Sequence, residues 1–460
     1  MELTNNKQSY ITTGPINQII MTISVPLMIN NLVRTLYNLT DGLFVAQISA
    51  EDFAATAFVW PLNFLFIAIG MGIGVGATAI IAQFLGAKRK NYAQHYANNT
   101  LVLTFLVGLA ACLIGIISAP TMLRWMQATG TLFDKSLAYL RINYIGLFFD
   151  FLYFGYQAIL NAQGKTKTIT TISFISSLTN VLLDPFFIFE RLPLLGLPGL
   201  NMGIQGAAWA TVISKILLYV LAFRISQKES EFPVSMRQNR FDLQVVQHIT
   251  KVATPTAVGY GGSALGFTVL NGLIAGYGTD TLAAYSMVNR ITDIITQPQM
   301  GIGGALTSII GQNMGAQAYD RVRAFFKRAV AIVLSISFVA SLLVLLFQEP
   351  LLSIFIKQDA SVELWMQAKE YLAYTAFIIF FMGLFSIFNG YFQGCGKTKY
   401  GMFMEIGRLW LLRLPVIWVL GEMTSLGSTG IWIAMLVSNA GVCLFGYYIY
   451  KTRDWTQTTV

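Results

Sequence analysis

Apolar runs of about twenty residues or more alternate with short polar stretches from residue 16 to residue 450. That is the length an α-helix needs to cross roughly 30 Å of hydrocarbon. The pattern predicts twelve membrane-spanning helices, near residues 16–47, 53–85, 92–118, 136–161, 169–189, 203–226, 246–277, 281–313, 322–347, 364–392, 400–421 and 428–450. Prolines and glycines interrupt several of them: Pro26 in the first, Gly70, Gly72, Gly74 and Gly76 in the second, Pro255 in the seventh, and Gly301, Gly303 and Gly304 in the eighth. Such breaks survive in a bilayer where they line protein or a cavity, so bent helices and a moving machine are expected. The polar stretch ISQKESEFPVSMRQNRFD, Ile225 to Asp242, acts as a hinge between halves. The expected organisation is an amino-terminal six-helix lobe over 1–224, a cytoplasmic linker over 225–245 and a carboxy-terminal six-helix lobe over 246–460.

The halves repeat each other. Pro26 and Pro255, Gly74 and Gly303, and the stretches QFLGA from Gln83 and QNMGA from Gln312 share an offset of 229 residues. GKTK recurs at Gly164 and Gly396 with an offset of 232, and GAAWATVIS from Gly206 lines up with GIWIAMLVS from Gly430. An even number of spans per half starts both halves on the same side, which makes them parallel repeats about an axis along the membrane normal. The fold class is therefore an all-α integral membrane protein of twelve transmembrane helices in two six-helix parallel repeats around a central cavity. Connections after the even spans carry Lys88, Arg89, Lys90, Lys165, Lys167, Lys228, Arg237, Arg240, Arg321, Arg323, Lys397 and Lys399. Those after the odd spans carry Glu51, Asp52, Glu190, Asp280, Glu349 and Asp359. This asymmetry places the first set and both termini in the cytoplasm, and the chain, as a multi-pass protein, in the cytoplasmic (plasma) membrane.

Composition narrows the chemistry. Of 460 residues, 55% are hydrophobic and 11% charged, against about 25% charged in soluble domains. At about 20 residues per span nothing is left for a large extramembrane domain, so the chemistry sits in the bilayer. A net charge of +9 could suggest nucleic acid, but the basic residues fall singly or in small groups between apolar runs, as topology requires; no nucleic-acid partner is expected. Cys112, Cys395 and Cys443 lie in apolar segments at unrelated spacings, and His95 and His248 stand at helix ends without evident partners, so neither a disulfide framework nor a metal site is implied. The polar first residues lack the order of a cleavable signal, and the first helix is expected to be retained. GKTK fails as a phosphate-binding loop because Ile159 and Tyr391 stand where that motif needs glycine; it reads as a cytoplasmic turn. No HExxH or GxSxG pattern occurs, and a membrane-embedded enzyme is ranked last. With no cofactor implied, transport would run on an ion gradient or on the substrate's own gradient.

Ionisable residues inside spans are expensive and by default paired or functional. Asp41 lies in LYNLTDGLFVAQ of span 1 and Asp184 in TNVLLDPFFIF of span 5. Counting back from the outer helix ends puts both carboxylates roughly 8 to 10 Å inside the outer boundary. Asn180, one turn from Asp184 on the same face, adds an uncharged oxygen. Two carboxylates brought together favour a shared proton, and the same oxygens suit a hard monovalent cation, so H+ or Na+ is the candidate coupling ion. The competing readings are that each Asp caps a broken helix, as Pro185 would allow, or meets a buried arginine. Depth matching also pairs Arg34 with Asp150, and Asp293 with Arg408, as gating or structural ion pairs, with Arg290, Glu405 and Arg413 near the second. Tyr37, Tyr139 and Gln157 are candidates for a cavity wall beside the acidic site.

This set resembles the multidrug and toxic compound extrusion (MATE) transporters: two six-span repeats, YNLTDGLFVAQ in span 1, a glycine-rich span 2 leading to QFLGAKR, NVLLDP and GAAWAT. The resemblance runs from about Ile16 to Tyr450 and is strongest to the prokaryotic branch with an acidic site in the amino-terminal half. It implies that Asp41, Asn180 and Asp184 bind the coupling ion. It further implies that H+ or Na+ entry drives export of small organic compounds, often cationic and amphiphilic, with span 1 bending at the hinge residue Pro26. The sodium-coupled sibling branch uses carboxylates in spans 7 and 10; here span 7 has none, and span 10 has only Glu370 near its outer end. Arg34 beside an acidic cavity points to a substrate less cationic than the family habit. The alternative is a lipid-linked precursor flippase of the same broader superfamily, with Arg34, Arg408 and Arg413 meeting a pyrophosphate. A monomer is expected.

Overall fold

The computed structural model describes residues 10–192, 196–236, 241–356, 361–456 and 460; Arg237, Arg240 and Asp359 lie outside them. Apart from one isolated bridge between Arg191 and Pro198, the described residues form helices and turns. The twelve long helices are α1 (Ile16–Ala46), α2 (Ala50–Gly86), α3 (Lys90–Trp125), α4 (Gly130–Ala162), α5 (Thr166–Ile188), α6 (Gly203–Glu229), α7 (Leu243–Ala275), α8 (Thr279–Gly315), α9 (Tyr319–Leu346), α10 (Val362–Gly394), α11 and α12 (Ser428–Thr452). α11 is built of three pieces, Thr398–Ile406, a π turn Gly407–Arg413, and Leu414–Met423. A six-residue helix, Gln348–Ser353, follows α9. All twelve expected spans are present. Several run past the apolar window because polar residues stop them only beyond it: Ser49 caps α2 through the Asp52 N–H, Asp242 caps α7, and Ser361 caps α10.

Nine of the described helices are long and apolar enough to cross a bilayer by composition alone. The others fail for stated reasons. α4 carries Asp134, Lys135, Arg141 and Asp150, α8 carries Arg290 and Asp293, and α11 is broken by its π turn.

The two halves interleave. The first part of α1 (Ile19, Ile20, Ile23, Leu27) is buried in one core with α8, α9, α10 and α12. The first part of α7 (Val245, Ile249, Val252, Ala253) is buried in the core of α2, α3, α4 and α5. Each half therefore lends its first helix to the other at the end of the bundle that carries both termini. The alternating glycines serve this crossing. A methyl on Gly72 would come within 2.8 Å of the Ala257 backbone N, and one on Gly301, its counterpart 229 residues on, within 2.6 Å of the Met28 backbone N. They are close-approach sites rather than bends, since α2 and α8 each run unbroken for 37 residues. α1 and α7 likewise continue as helix through Pro26 and Pro255.

The repeated turns have a common geometry. Gly164 and Gly396 take φ of +71° and +72°, the left-handed conformation that ends a helix and favours glycine. The threonines that follow carry more than a turn. Thr166 Oγ1 donates to the Ile23 carbonyl at 2.9 Å, and Thr398 Oγ1 donates to the Val252 carbonyl at 2.6 Å, each three residues before the helix proline. Thr170 Oγ1 adds a bond to the Pro26 carbonyl at 2.6 Å.

At the same end the lobes meet across a pair of glutamines. Gln83 Nε2 donates to the Gly394 carbonyl (2.9 Å), and Gln312 Nε2 to the Ala162 carbonyl (2.7 Å). A methyl on Gly86 would fall on the Gln312 carbonyl, and one on Gly315 on the Gln83 carbonyl. The histidines do have partners: His95 Nε2 lies 3.0 Å from Asp242 Oδ2, and His248 Nδ1 2.9 Å from the Tyr96 hydroxyl. They tie the linker and α7 to α3, which helix-end position alone does not reveal. The bond from His95, with the Val245 backbone N–H, holds the Asp242 carboxyl below its usual range. The linker is pinned further by Asn98 to Ser235, Asn99 to Asp242, and Gln163 to Ser230 and Glu231.

Candidate functional site

α1 and α5 run side by side from the terminal-bearing end and bring their carboxylates together near the opposite end, Asp41 on α1 and Asp184 on α5. The two carboxyl groups lie within hydrogen-bonding reach of each other. Asp184 is fully buried and Asp41 half-buried. Asn180, one turn before Asp184, completes the group when its amide is oriented to satisfy its neighbours. Its Nδ2 then donates to Asp184 Oδ2 at 2.8 Å, and its oxygen accepts from the Thr211 backbone N–H at 3.2 Å. Among the described residues, Asp41 Oδ1 and Asp184 Oδ1 are buried with no hydrogen-bond partner. Two adjacent carboxylates with orphaned buried oxygens are an incomplete site, one that a proton or a hard cation completes.

The walls follow from the neighbouring helices. Tyr37, one turn before Asp41 on α1, lies near Thr211 of α6, both carboxylates and Tyr139. Tyr139 of α4 is buried beside the same pair. Gln157 is half-buried further along α4 and makes no hydrogen bond to this group among the described residues. The acid pair, Asn180, Tyr37 and Tyr139 thus converge, and Gln157 does not join them.

Both depth-matched ion pairs are re-partnered. Asp150 bonds Lys215 of α6 at 2.7 Å, not Arg34, which is exposed on α1. Matched depth says nothing about which helices are neighbours, and α4 packs on α6, where a methyl on Gly146 would come within 3.0 Å of the Lys215 stem. Arg34 and Asp150 still share one neighbour electrostatically, Tyr153. Arg408 pairs with Glu405, three residues earlier on α11, at 3.4 Å, while Asp293 is exposed on α8 and makes no ion pair among the described residues. Glu405 also accepts from Ser263 Oγ (3.1 Å) and Asn389 Nδ2 (3.2 Å).

Thr211 and Lys215 are additions that the sequence pattern did not mark. Both sit mid-helix in GAAWATVISKILLY with no spacing signature, and Lys215 lies close enough to act electrostatically on Asp41. Away from the acid pair, an apolar groove of about 610 Å³ runs between α2, α7 and α11, lined by Leu65, Ile69, Val258, Leu265 and Trp410 among others.

Twelve membrane-length helices, two interleaved repeats and an intramembrane acid pair define a multi-pass membrane transporter. The MatE family model matches the chain twice, over residues 26–186 and 255–419, one match in each half. The chain belongs to the MatE family, a family of transporters rather than enzymes. Among its relatives are YoeA of Bacillus subtilis, named a probable multidrug resistance protein, 26% identical over 94% of each chain, and the probable multidrug resistance protein NorM of Thermotoga maritima, 24% identical over 95% of this chain and 93% of its own. The fold matches solved MATE structures. One described as the outward-facing conformation of a multidrug resistance MATE family transporter superposes with a TM-score of 0.87 at 23% identity, covering 95% of this chain and 96% of the other. Another, of MATE in the straight conformation, gives 0.88 at the same identity and coverage.

Proposed function

We propose that this chain is a secondary antiporter of the cytoplasmic membrane, both termini cytoplasmic, exporting small organic compounds in exchange for a proton bound between Asp41 and Asp184. The observation that carries the coupling reading is the pair of carboxyl groups in mutual reach, each with a buried oxygen that no protein group satisfies. Two carboxyl groups close enough to share one proton between them favour H+ as the coupling ion. Multidrug export is supported by family membership and by the names of relatives that span nearly the whole chain.

The side-chain hydrogen bonds of Gln83, Gln312, Tyr96 and Arg321 that join the two halves lie at the end that carries the termini, which supports a state closed to the cytoplasm. With the carboxylates ionised, the site attracts a cationic or polarised substrate. Protonation removes that attraction and permits α1 to bend at Pro26, where the helix already lacks one backbone donor. Substrate is then released outward, and the proton leaves on the other side once the lobes have rocked.

The test is dye efflux from everted vesicles with a proton gradient and a sodium gradient imposed separately, using the parent, Asp41→Asn and Asp184→Asn, each checked for membrane insertion. Export should follow the proton gradient in the parent and fall at least tenfold in both variants. Export driven by sodium alone would reassign the ion. Undiminished export by folded variants would remove the acid pair from the mechanism.

A further inference from the structure

The second lobe holds buried charge that the coupling reading does not use. The π turn of α11 carries Arg408 and Arg413, only 7% and 6% exposed. Arg408 meets Glu405 at a loose 3.4 Å and lies over the Phe385 ring, 4.4 Å from its centroid. Its Nε is buried without an acceptor. Arg413 donates Nε to Ser438 Oγ at 3.1 Å and has no carboxylate within ion-pair distance among the described residues. Beside it Tyr371 stacks on Trp432 (4.2 Å between ring centroids) and on Tyr285 (6.0 Å). The Trp432 indole N–H is also buried without an acceptor.

The cluster is therefore rich in donors and poor in acceptors. Glu405, the carboxylate paired with Arg408, already accepts from Ser263 and Asn389, and neither Arg413 nor the Trp432 indole N–H has a carboxylate partner among the described residues. Buried donors and a buried cation without an anion are unfavourable, and a bound carboxylate supplies what both lack in the planar geometry that guanidinium groups match. The aromatic walls suit a flat apolar body. Asp293, exposed on α8 and within electrostatic reach of Tyr285 and Tyr371, is the one unpaired carboxylate at this cluster among the described residues, and it opposes an anion there.

We propose that Arg408 and Arg413, with the Trp432 indole N–H, form an anion-recognition site that takes the carboxylate of an aromatic substrate. The proposal rests on the transport reading above for its biological use, but its binding is measured without transport. Equilibrium dialysis of the purified full chain against 2-naphthoate and against its methyl ester compares an anion with a neutral molecule of nearly the same shape. The parent should bind naphthoate at least tenfold more tightly than the ester. Arg413→Gln, which strands no carboxylate, should erase that preference and leave ester affinity unchanged, Arg413→Lys should restore part of it, and Asp293→Asn should tighten naphthoate several-fold. Equal binding of acid and ester by the parent, or a preference that survives in Arg413→Gln and ignores Asp293→Asn, overturns the site. Failure of dye export under any gradient would sink the antiport reading and leave the dialysis result standing.

Discussion

Single residues decide the electrostatics of the first lobe, and the Asp150–Lys215 pair, at 2.7 Å, is a close ion pair there. Both side chains are mostly buried, with side-chain exposures of 14% and 21%. Removing one partner strands the other, at a cost of about 3 kcal/mol, whereas replacing both with apolar residues of similar size is often neutral. Lys215→Met should therefore lower the unfolding temperature of the detergent-solubilised protein clearly, and the double variant Lys215→Met with Asp150→Leu should recover most of the loss. A single variant as stable as the parent would show that water already solvates the pair. The acid pair was legible because span lengths place Asp41 and Asp184 at equal depth and a four-residue step puts Asn180 on the face of Asp184. Lys215 was not, because a lysine within ISKILLY carries no information about the azimuth of the helix it sits on. The same blindness assigned Asp150 to Arg34 and Arg408 to Asp293. Depth is a one-dimensional coordinate, and pairing needs the other two.

At the scale of helices, α1 and α7 are the elements whose mobility the transport cycle needs, and each is tied down beside its proline. Thr166 and Thr170 hold α1 at the carbonyls of Ile23 and Pro26, while on α7 Thr398 holds the carbonyl of Val252. A hydroxyl-to-carbonyl bond contributes about 1 kcal/mol net, or roughly a fivefold change in a local opening equilibrium. Hydrogen exchange of the α1 amides around residues 20–27 should accelerate by about that factor in Thr166→Val and hardly change in Thr398→Val, which should instead loosen α7 around residues 249–256. Equal acceleration of both helices in either variant would mean that the lobes open as a whole. The helices themselves were legible as spans, but an apolar run does not fix their ends: α3 continues to Trp125, past the expected 118, and α4 starts at Gly130, before the expected 136. The glycines were misread. Gly72 and Gly301 look like breaks in a linear pattern, but their use is the passage of another helix's backbone, which only the packed structure displays. The π turn of α11, Gly407–Arg413, had no sequence signal.

For the molecule as a whole, the question is what closes the end that bears the termini, and the repeat gives an answer with its own control. Gln83 and Gln312 make the same bond to opposite lobes, and Gly86 and Gly315 stand under each other's glutamine carbonyls. The family model's matches over 26–186 and 255–419 begin at the same offset of 229 residues, so the contact is one motif used twice. Because each glycine touches backbone, a side chain there cannot rotate away and must push the lobes apart. Gly86→Leu and Gly315→Leu should each hold this end open to a similar degree, and Gln83→Leu or Gln312→Leu, which remove one hydrogen bond without adding bulk in the seam, should do so less. Spin labels at Arg89→Cys and Asp320→Cys, on a background with Cys112, Cys395 and Cys443 replaced by Ser, report the separation by pulsed electron resonance. The distance should lengthen by several ångströms, about the size of the inserted side chain, in both glycine variants, and transport should stall in both. Lengthening in only one would mean that the seam is not symmetric in function, and that the lobe bearing the acid pair closes independently of its repeat.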